Sequence, residues 1–427
     1  MRRTLKASAA MLVVAGLALT GCSGTPEADD NTLTLWHYEG ADSAMGIAWD
    51  AAIAEFEKET GATVEFEEKS FEQIRSTASQ VLNSDAAPDI LEYNKGNATA
   101  GLLASQGLLA PLDDAYEKYG WGDKLASSLQ TTARYSDEGV MGSGSYYGVP
   151  NYGEFVMMYY NKDMFDEYGI TVPTTLDEFE DALAAFKAEG ITPLAESAAE
   201  YPLGQLFYQL ALSKADRQFV NDYELYENPV DWQGPELTYA AETIADWVDK
   251  GYISPDASGL KAEDAGVSFI NGTSPMFYSG SWWYGRFISE AKFDFTSGLF
   301  PDTTLAPGSS GNLWVIPTKS KHPELAEKFI EITMSPEIQA LIGNNGGLPV
   351  AADAADITDE KSQELIANFN TLTEQDGLSF YPDWPTATFY DQLNAALQEL
   401  VNGTKSPKEV LAQLGEQYDE GVAEITG

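Results

Sequence analysis

The chain has 427 residues, with 24 Lys and Arg against 67 Asp and Glu, a net charge of −43. So acidic a surface repels nucleic acid and anionic membrane lipids, which excludes both as partners of the folded body. Two histidines, His37 and His322, exclude a His-rich metal site, and the single Cys22 excludes a disulfide framework.

The first segment reads as an address. Arg2, Arg3 and Lys6 precede an apolar run from Ala7 to Leu19, which is followed by Leu19-Thr20-Gly21-Cys22. A basic start, a short apolar stretch and small residues at a cleavage point form an export signal. The cysteine directly after Gly21 fits a bacterial lipobox, in which the thiol is acylated and the chain is cut before it. Residues 1–21 are therefore expected to be removed and Cys22 to carry a lipid. Loss of Arg2, Arg3 and Lys6 with that segment deepens the charge by three, to −46. Residues 22–31, polar, acidic and Pro-containing, read as a flexible tether. The 406 residues after the cut are too many for one small core and imply two lobes.

In chain order, Thr32–Trp36 alternates as a strand, and a helix begins near Ser43 with Trp49, Ile53 and Phe56 on one face and Gly61 as its stop. Thr63–Glu67 is a second strand, Ile74, Ala78 and Val81 mark a second helix, and Asp89–Tyr93 is a third strand. This alternation predicts an α/β lobe with a mainly parallel sheet. Tyr147–Tyr152 is punctuated by Gly and Pro and precedes an apolar strand, Phe155–Tyr160, so a first crossing between lobes is placed there. Thr175-Leu176-Asp177-Glu178 has capping-box spacing, and Phe179, Leu183 and Phe186 follow on one helical face. A second crossing is expected in the Pro/Gly/Ser-rich stretch 300–311 and a third at Gly346–Pro349. The expected lobes are 32–149 plus 305–346 and 150–304 plus 347–427.

Several blocks in this order resemble one known family. They are Ala87-Pro88-Asp89-Ile90 with Gly107–Asp113, and Tyr147-Gly148-Val149-Pro150 with Tyr159–Phe165 and Pro173–Phe179. Further on come Phe269-Ile270-Asn271-Gly272 with Gly280-Ser281-Trp282, and Ile316–Pro323 running through Ser335-Pro336-Glu337 to Gly346-Gly347-Leu348-Pro349. The chain resembles the extracellular sugar-binding subunits of bacterial ATP-driven (ABC) importers, the maltose-binding-protein-like group. The resemblance implies the periplasmic-binding-protein-like II fold: two α/β lobes joined by a multi-crossing hinge, with the ligand cleft between them. It also implies a monomeric, non-enzymatic receptor without cofactor, which delivers sugar to permease subunits at the outer face of the cytoplasmic membrane.

A neutral sugar presents hydroxyls, which suit carboxylates and amides, and C–H faces, which suit aromatic rings. Only four arginines follow the signal (Arg75, Arg134, Arg217, Arg286), which favours an uncharged ligand over a carboxylate or phosphate. The candidate binding residues are His37 and Glu39 after the first strand, Asn94 and Lys95 after the third, Tyr152 and Glu154 at the first crossing, Trp282, Trp283 and Arg286 after a Gly turn, Asn312 at the second crossing, and Asp383 and Trp384 between prolines. The family's pattern falls on Glu39, Asn94, Tyr152 and Trp282, and of the adjacent tryptophans only one is expected to face the cleft. Each has a plainer reading: His37 as a loop cap, Lys95 as the partner of an acid. Trp49, Trp247 and Trp314 sit in helix or strand patterns and are expected in the core. Trp121 and Trp232 lie in loops and are expected as surface plugs. Two rival functions use the same residue types: a secreted glycoside hydrolase with paired carboxylates, and a polyamine receptor with acids boxed by aromatics.

Overall fold

The computed structural model describes residues 31–352 and 354–427. The expected signal segment, Cys22 and all of the tether but Asn31 lie outside the described residues. Among the described residues no helix is long and apolar enough to cross a membrane.

Strand β1 (Thr32–His37) buries Leu33, Leu35 and His37 on one side of the pleat, as its alternation predicts. The chain then turns through Ser43, whose side chain caps the helix Ala44–Thr60 by accepting the Gly46 N–H, and leaves it at Gly61 with φ 70°. That helix lays Trp49, Ala52 and Phe56 against the sheet before β2 (Thr63–Glu68). The helix Phe71–Leu82 leads on to β3 (Ile90–Tyr93). β1 runs parallel to both β2 and β3, the parallel arrangement expected of alternating strands and helices. A small hairpin of β4 (Arg134–Tyr135) and β5 (Ser145–Tyr146) precedes β6 (Val149–Pro150).

The chain then leaves this sheet. β7 (Gly153–Asn161) has all nine residues buried and is the axis of a second sheet. β8 (Leu194–Ala195), β9 (Met276–Gly280) and β10 (Phe295–Gly298) complete its path in the order β10-β7-β9-β8. β11 (Gly308–Ser310) pairs with the first residues of β7. β12 (Leu313–Val315) goes back into the first sheet, antiparallel to β3 and β6, giving the order β2-β1-β3-β12-β6.

Register thus fixes the crossings. The outward one is Asn151–Tyr152, because β6 still pairs with β12. The return is Gly311–Asn312, at the end of the expected stretch 300–311, because residues 306 and 308 bridge to Leu378 and Phe380 and β11 pairs with β7. The third lies by Leu348, which bridges Gly153. The Thr175 capping box is present, and prolines open the helices Pro323–Thr333 and Pro336–Asn344.

Trp49, Trp247 and Trp314 are fully buried, as expected. Trp121 and Trp232 are not surface plugs. Trp121 is fully buried, edge-on to Tyr116 at 5.5 Å, and its Nε1 donates to Glu331 at 2.8 Å. Trp232 packs between Tyr223 and Phe389, with ring centroids 5.8 and 5.7 Å away. Trp121 in fact opens a short helix, Trp121–Lys124, and Trp232, though in a loop, is buried by rings that neighbouring helices bring to meet it.

Candidate functional site

Loops at the carboxyl ends of β1, β3 and β9 meet the crossings around a cavity of about 240 Å³. Nine of the twelve candidates line it: Glu39, Asn94, Lys95, Tyr152, Glu154, Trp282, Asn312, Asp383 and Trp384. Strand ends and crossings are where an open α/β sheet leaves side chains free of ladder neighbours, so ligand contacts collect there.

Tyr152 ties the floor together. Its hydroxyl donates to Glu39 Oε1 at 3.2 Å and accepts from Asn312 Nδ2 at 2.8 Å, so one side chain joins the β1 loop to two crossings. Beneath it Asn151 Nδ2 donates to Glu92 Oε1 at 2.8 Å. Burial raises Glu39 to about 7; the Tyr152 hydrogen bond opposes that shift and the Glu154 charge adds to it. Burial likewise raises Asp383 to about 6 and holds Glu92 well above the usual carboxylate range.

Aromatic rings form the opposite wall. Trp282 stands edge-on to Tyr201 at 5.7 Å and donates its Nε1 to the Tyr201 hydroxyl at 3.3 Å. Tyr381 sits 5.1 Å from Trp384 and 6.5 Å from Trp282. Lys95 Nζ pairs with Glu154 and lies 5.2 and 5.4 Å from the Tyr381 and Trp384 ring centres. Three of these rings rest directly on glycines. A Cβ at Gly96 would sit 2.6 Å from Trp384, one at Gly280 1.9 Å from Trp282, and one at Gly311 2.4 Å from Tyr152. Gly96, at φ 106° and ψ 167°, also occupies backbone space essentially closed to other residues.

Three candidates fall outside the cavity. His37 is the last residue of β1, and the pleat turns it inward, away from the cavity. It stacks on Phe66 at 4.1 Å, its Nδ1 accepts the Glu39 N–H at 3.2 Å, and burial lowers it to about 4. It therefore shapes the Glu39 loop as a neutral ring. Trp283 turns into the second core, stacked on Phe287 at 5.6 Å and edge-on to Phe277, so Trp282 alone of the pair faces the cleft. Arg286 is held by Glu263 and Glu290 at 2.9 and 2.8 Å. It borders a second cavity of about 410 Å³, which runs from Gly40–Met45 to Gly346–Leu348 and shares the Tyr152 and Trp282 walls.

A family model described as bacterial extracellular solute-binding protein matches residues 51–370. The chain belongs to that family. The multiple sugar-binding protein of Streptococcus mutans is 27% identical over 228 residues, 51% of this chain and 54% of that one. A maltodextrin-binding protein of Bacillus subtilis is 25% identical over 389 residues, 86% of this chain and 85% of that one. The chain spans about half the length of the first curated relatives it matches. Among solved structures, a chitin oligosaccharide binding protein superposes with a TM-score of 0.77 at 23% identity, over 92% of this chain and 99% of that one. The fold is thus the two-lobed periplasmic-binding-protein-like II architecture expected from the sequence motifs.

In this solute-binding protein the cavity also holds Tyr38 and Tyr381, from the candidate loops, and four residues without a motif, Phe71, Tyr201, Gln205 and Tyr390. One signal for them was present. The helix Pro202–Leu212 is buried all round, yet it carries Gln205 and Gln209. A glutamine in a wholly buried apolar helix needs a partner. Gln209 finds one in the Tyr278 hydroxyl at 2.9 Å, whereas Gln205, which lines the cavity, has a buried Oε1 without one.

Proposed function

We propose that this solute-binding protein is the carbohydrate receptor of an ATP-driven importer, binding an uncharged oligosaccharide between its lobes, where two adjoining cavities share the Tyr152 and Trp282 walls. The observation that carries this is the convergence, from both sheets, of Trp282, Tyr381 and Trp384 rings with Glu39, Asn94, Asp383 and Gln205 on one cavity. Rings suit the C–H faces of a sugar, and carboxylates and amides suit its hydroxyls. The names of the sugar-binding relatives support the same class.

In this reading the lobes are 32–150 plus 312–346 and 153–310 plus 348–427, and they close about the three crossings when solute enters. The protein is a monomer and performs no catalysis. Cys22, acylated, holds it at the outer face of the cytoplasmic membrane beside the permease, where tethering raises its effective concentration.

Calorimetric titration with a panel of neutral mono- and oligosaccharides tests the assignment. Saturable binding with a more compact scattering profile is expected. Binding of polyamines but no sugar overturns it, and steady appearance of new reducing ends would instead make the protein a glycoside hydrolase.

A further inference from the structure

A carboxylate boxed by aromatic rings is the chemistry that recognises an ammonium group. This cleft contains such a box, built from two separate parts of the chain: Glu154 on β7, and Tyr381 and Trp384 on the late loop. The box is already filled. Lys95 Nζ pairs with Glu154, the two side chains being 3% and 7% exposed, and lies over both rings.

The lysine is held there by its backbone. Its N–H donates to Asn94 Oδ1 at 3.1 Å, its carbonyl accepts from Thr99 Oγ1 at 2.7 Å, and Gly96 follows in a conformation only glycine adopts. The other acids near the cavity have different partners. Glu39 is engaged by Tyr152 and Ser43, and Glu92 by Asn151. Asp383 lies within the field of Lys95 itself.

We propose that Lys95 determines specificity: its ammonium permanently occupies the aromatic-walled cation position at Glu154 and excludes amine solutes from the cavity. This rests on the receptor reading and narrows its solute class, and it makes the polyamine alternative a property of the lysine-free protein rather than of the native one.

The test is calorimetric titration with n-propylammonium and 1,4-diaminobutane. The native protein is expected to bind neither at millimolar concentration. Lys95→Ala is expected to bind n-propylammonium at least about tenfold more tightly than the native protein, the size of a desolvated cation–π contact with its counter-charge. The double variant Lys95→Ala/Glu154→Gln, which leaves no buried charge unpaired, is expected to fold and to lose that affinity again. If Lys95→Ala is too unstable to titrate, its melting temperature is followed instead. A rise with n-propylammonium that the double variant lacks supports the proposal. Tight diamine binding by the native protein, or no gain of amine binding in Lys95→Ala by either readout, overturns it. Failure of every sugar in the panel would sink the carbohydrate assignment while leaving this amine result readable.

Discussion

Replacing Tyr152 with Phe removes one oxygen and keeps the ring on Gly311, so its effect isolates the hydroxyl that joins the β1 loop to two crossings. Two buried partners are left behind: Glu39 Oε1, 3.2 Å away, and Asn312 Nδ2, 2.8 Å away. A buried polar group left unpaired costs about 1–3 kcal/mol, and both groups border a cavity that can admit water, so a total loss of about 2–4 kcal/mol is expected. The loss should depend on pH. Folded Glu39 keeps its proton up to about 7, against 4.5 for the ordinary carboxyl. Between those values the folded state binds more protons than the unfolded one, so this group's contribution to stability falls as pH rises and is fully present only below 4.5. The Tyr152 hydrogen bond favours the ionised form and holds Glu39 down; without it the group titrates higher, and the fall continues beyond pH 7. Urea unfolding at pH 5 and pH 8.5 reads this directly. The gap between native protein and variant should be wider at pH 8.5, with an unchanged denaturant slope. In the Glu39→Gln background the pH dependence of the gap should vanish. A gap of equal size at both pH values would refute the reasoning.

The neighbouring tryptophans should separate by assay. Trp282→Ala is expected to weaken sugar binding by roughly 1–3 kcal/mol in calorimetry with little change in melting temperature. Trp283→Ala, emptying a site between Phe277 and Phe287, should cost about 3–5 kcal/mol of folding stability by denaturant titration. Gly96→Ala would bring a Cβ to 2.6 Å from Trp384 in a glycine-only conformation, and a loss of about 1–3 kcal/mol in unfolding experiments is expected. Glu196, raised by burial to about 8, binds more protons folded than unfolded between 4.5 and 8, so it destabilises progressively as pH rises through that window. Glu196→Gln should therefore gain on the native protein at pH 8.5 and not at pH 4, as followed by thermal unfolding. Cys22→Ala should leave sugar affinity unchanged while the protein leaves the membrane fraction.

Local signals in the sequence carried much of this architecture. Ser43 and Gly61 bracket their helix, Thr175 and Glu178 make the capping box, and Pro150, Gly311 and Pro349 lie at or next to crossings, because caps, turns and strand ends act within a few residues. Where within 300–311 the chain crosses was harder to place, since the pairing of Gly308–Ser310 with β7 depends on partners about 150 residues away in sequence, beyond any local pattern. The same limit applies to the site. Glu39, Asn94 and Tyr152 could be named from strand ends. The direction of the Trp282–Trp283 pair could not, because it is set by which ring finds Phe277 and Phe287. Tyr201 and Gln205 reach the cavity from a helix whose apolar pattern marks it as core.

The glycines beneath Trp282, Tyr152 and Trp384 have a consequence for how such receptors diverge. Each sets the tilt of a ring without lining the cavity itself. Substituting one of them would re-aim an aromatic wall while every residue touching the solute stayed the same. Two receptors with identical lining side chains can then prefer different solutes, and the difference will be written in positions that carry no side chain at all.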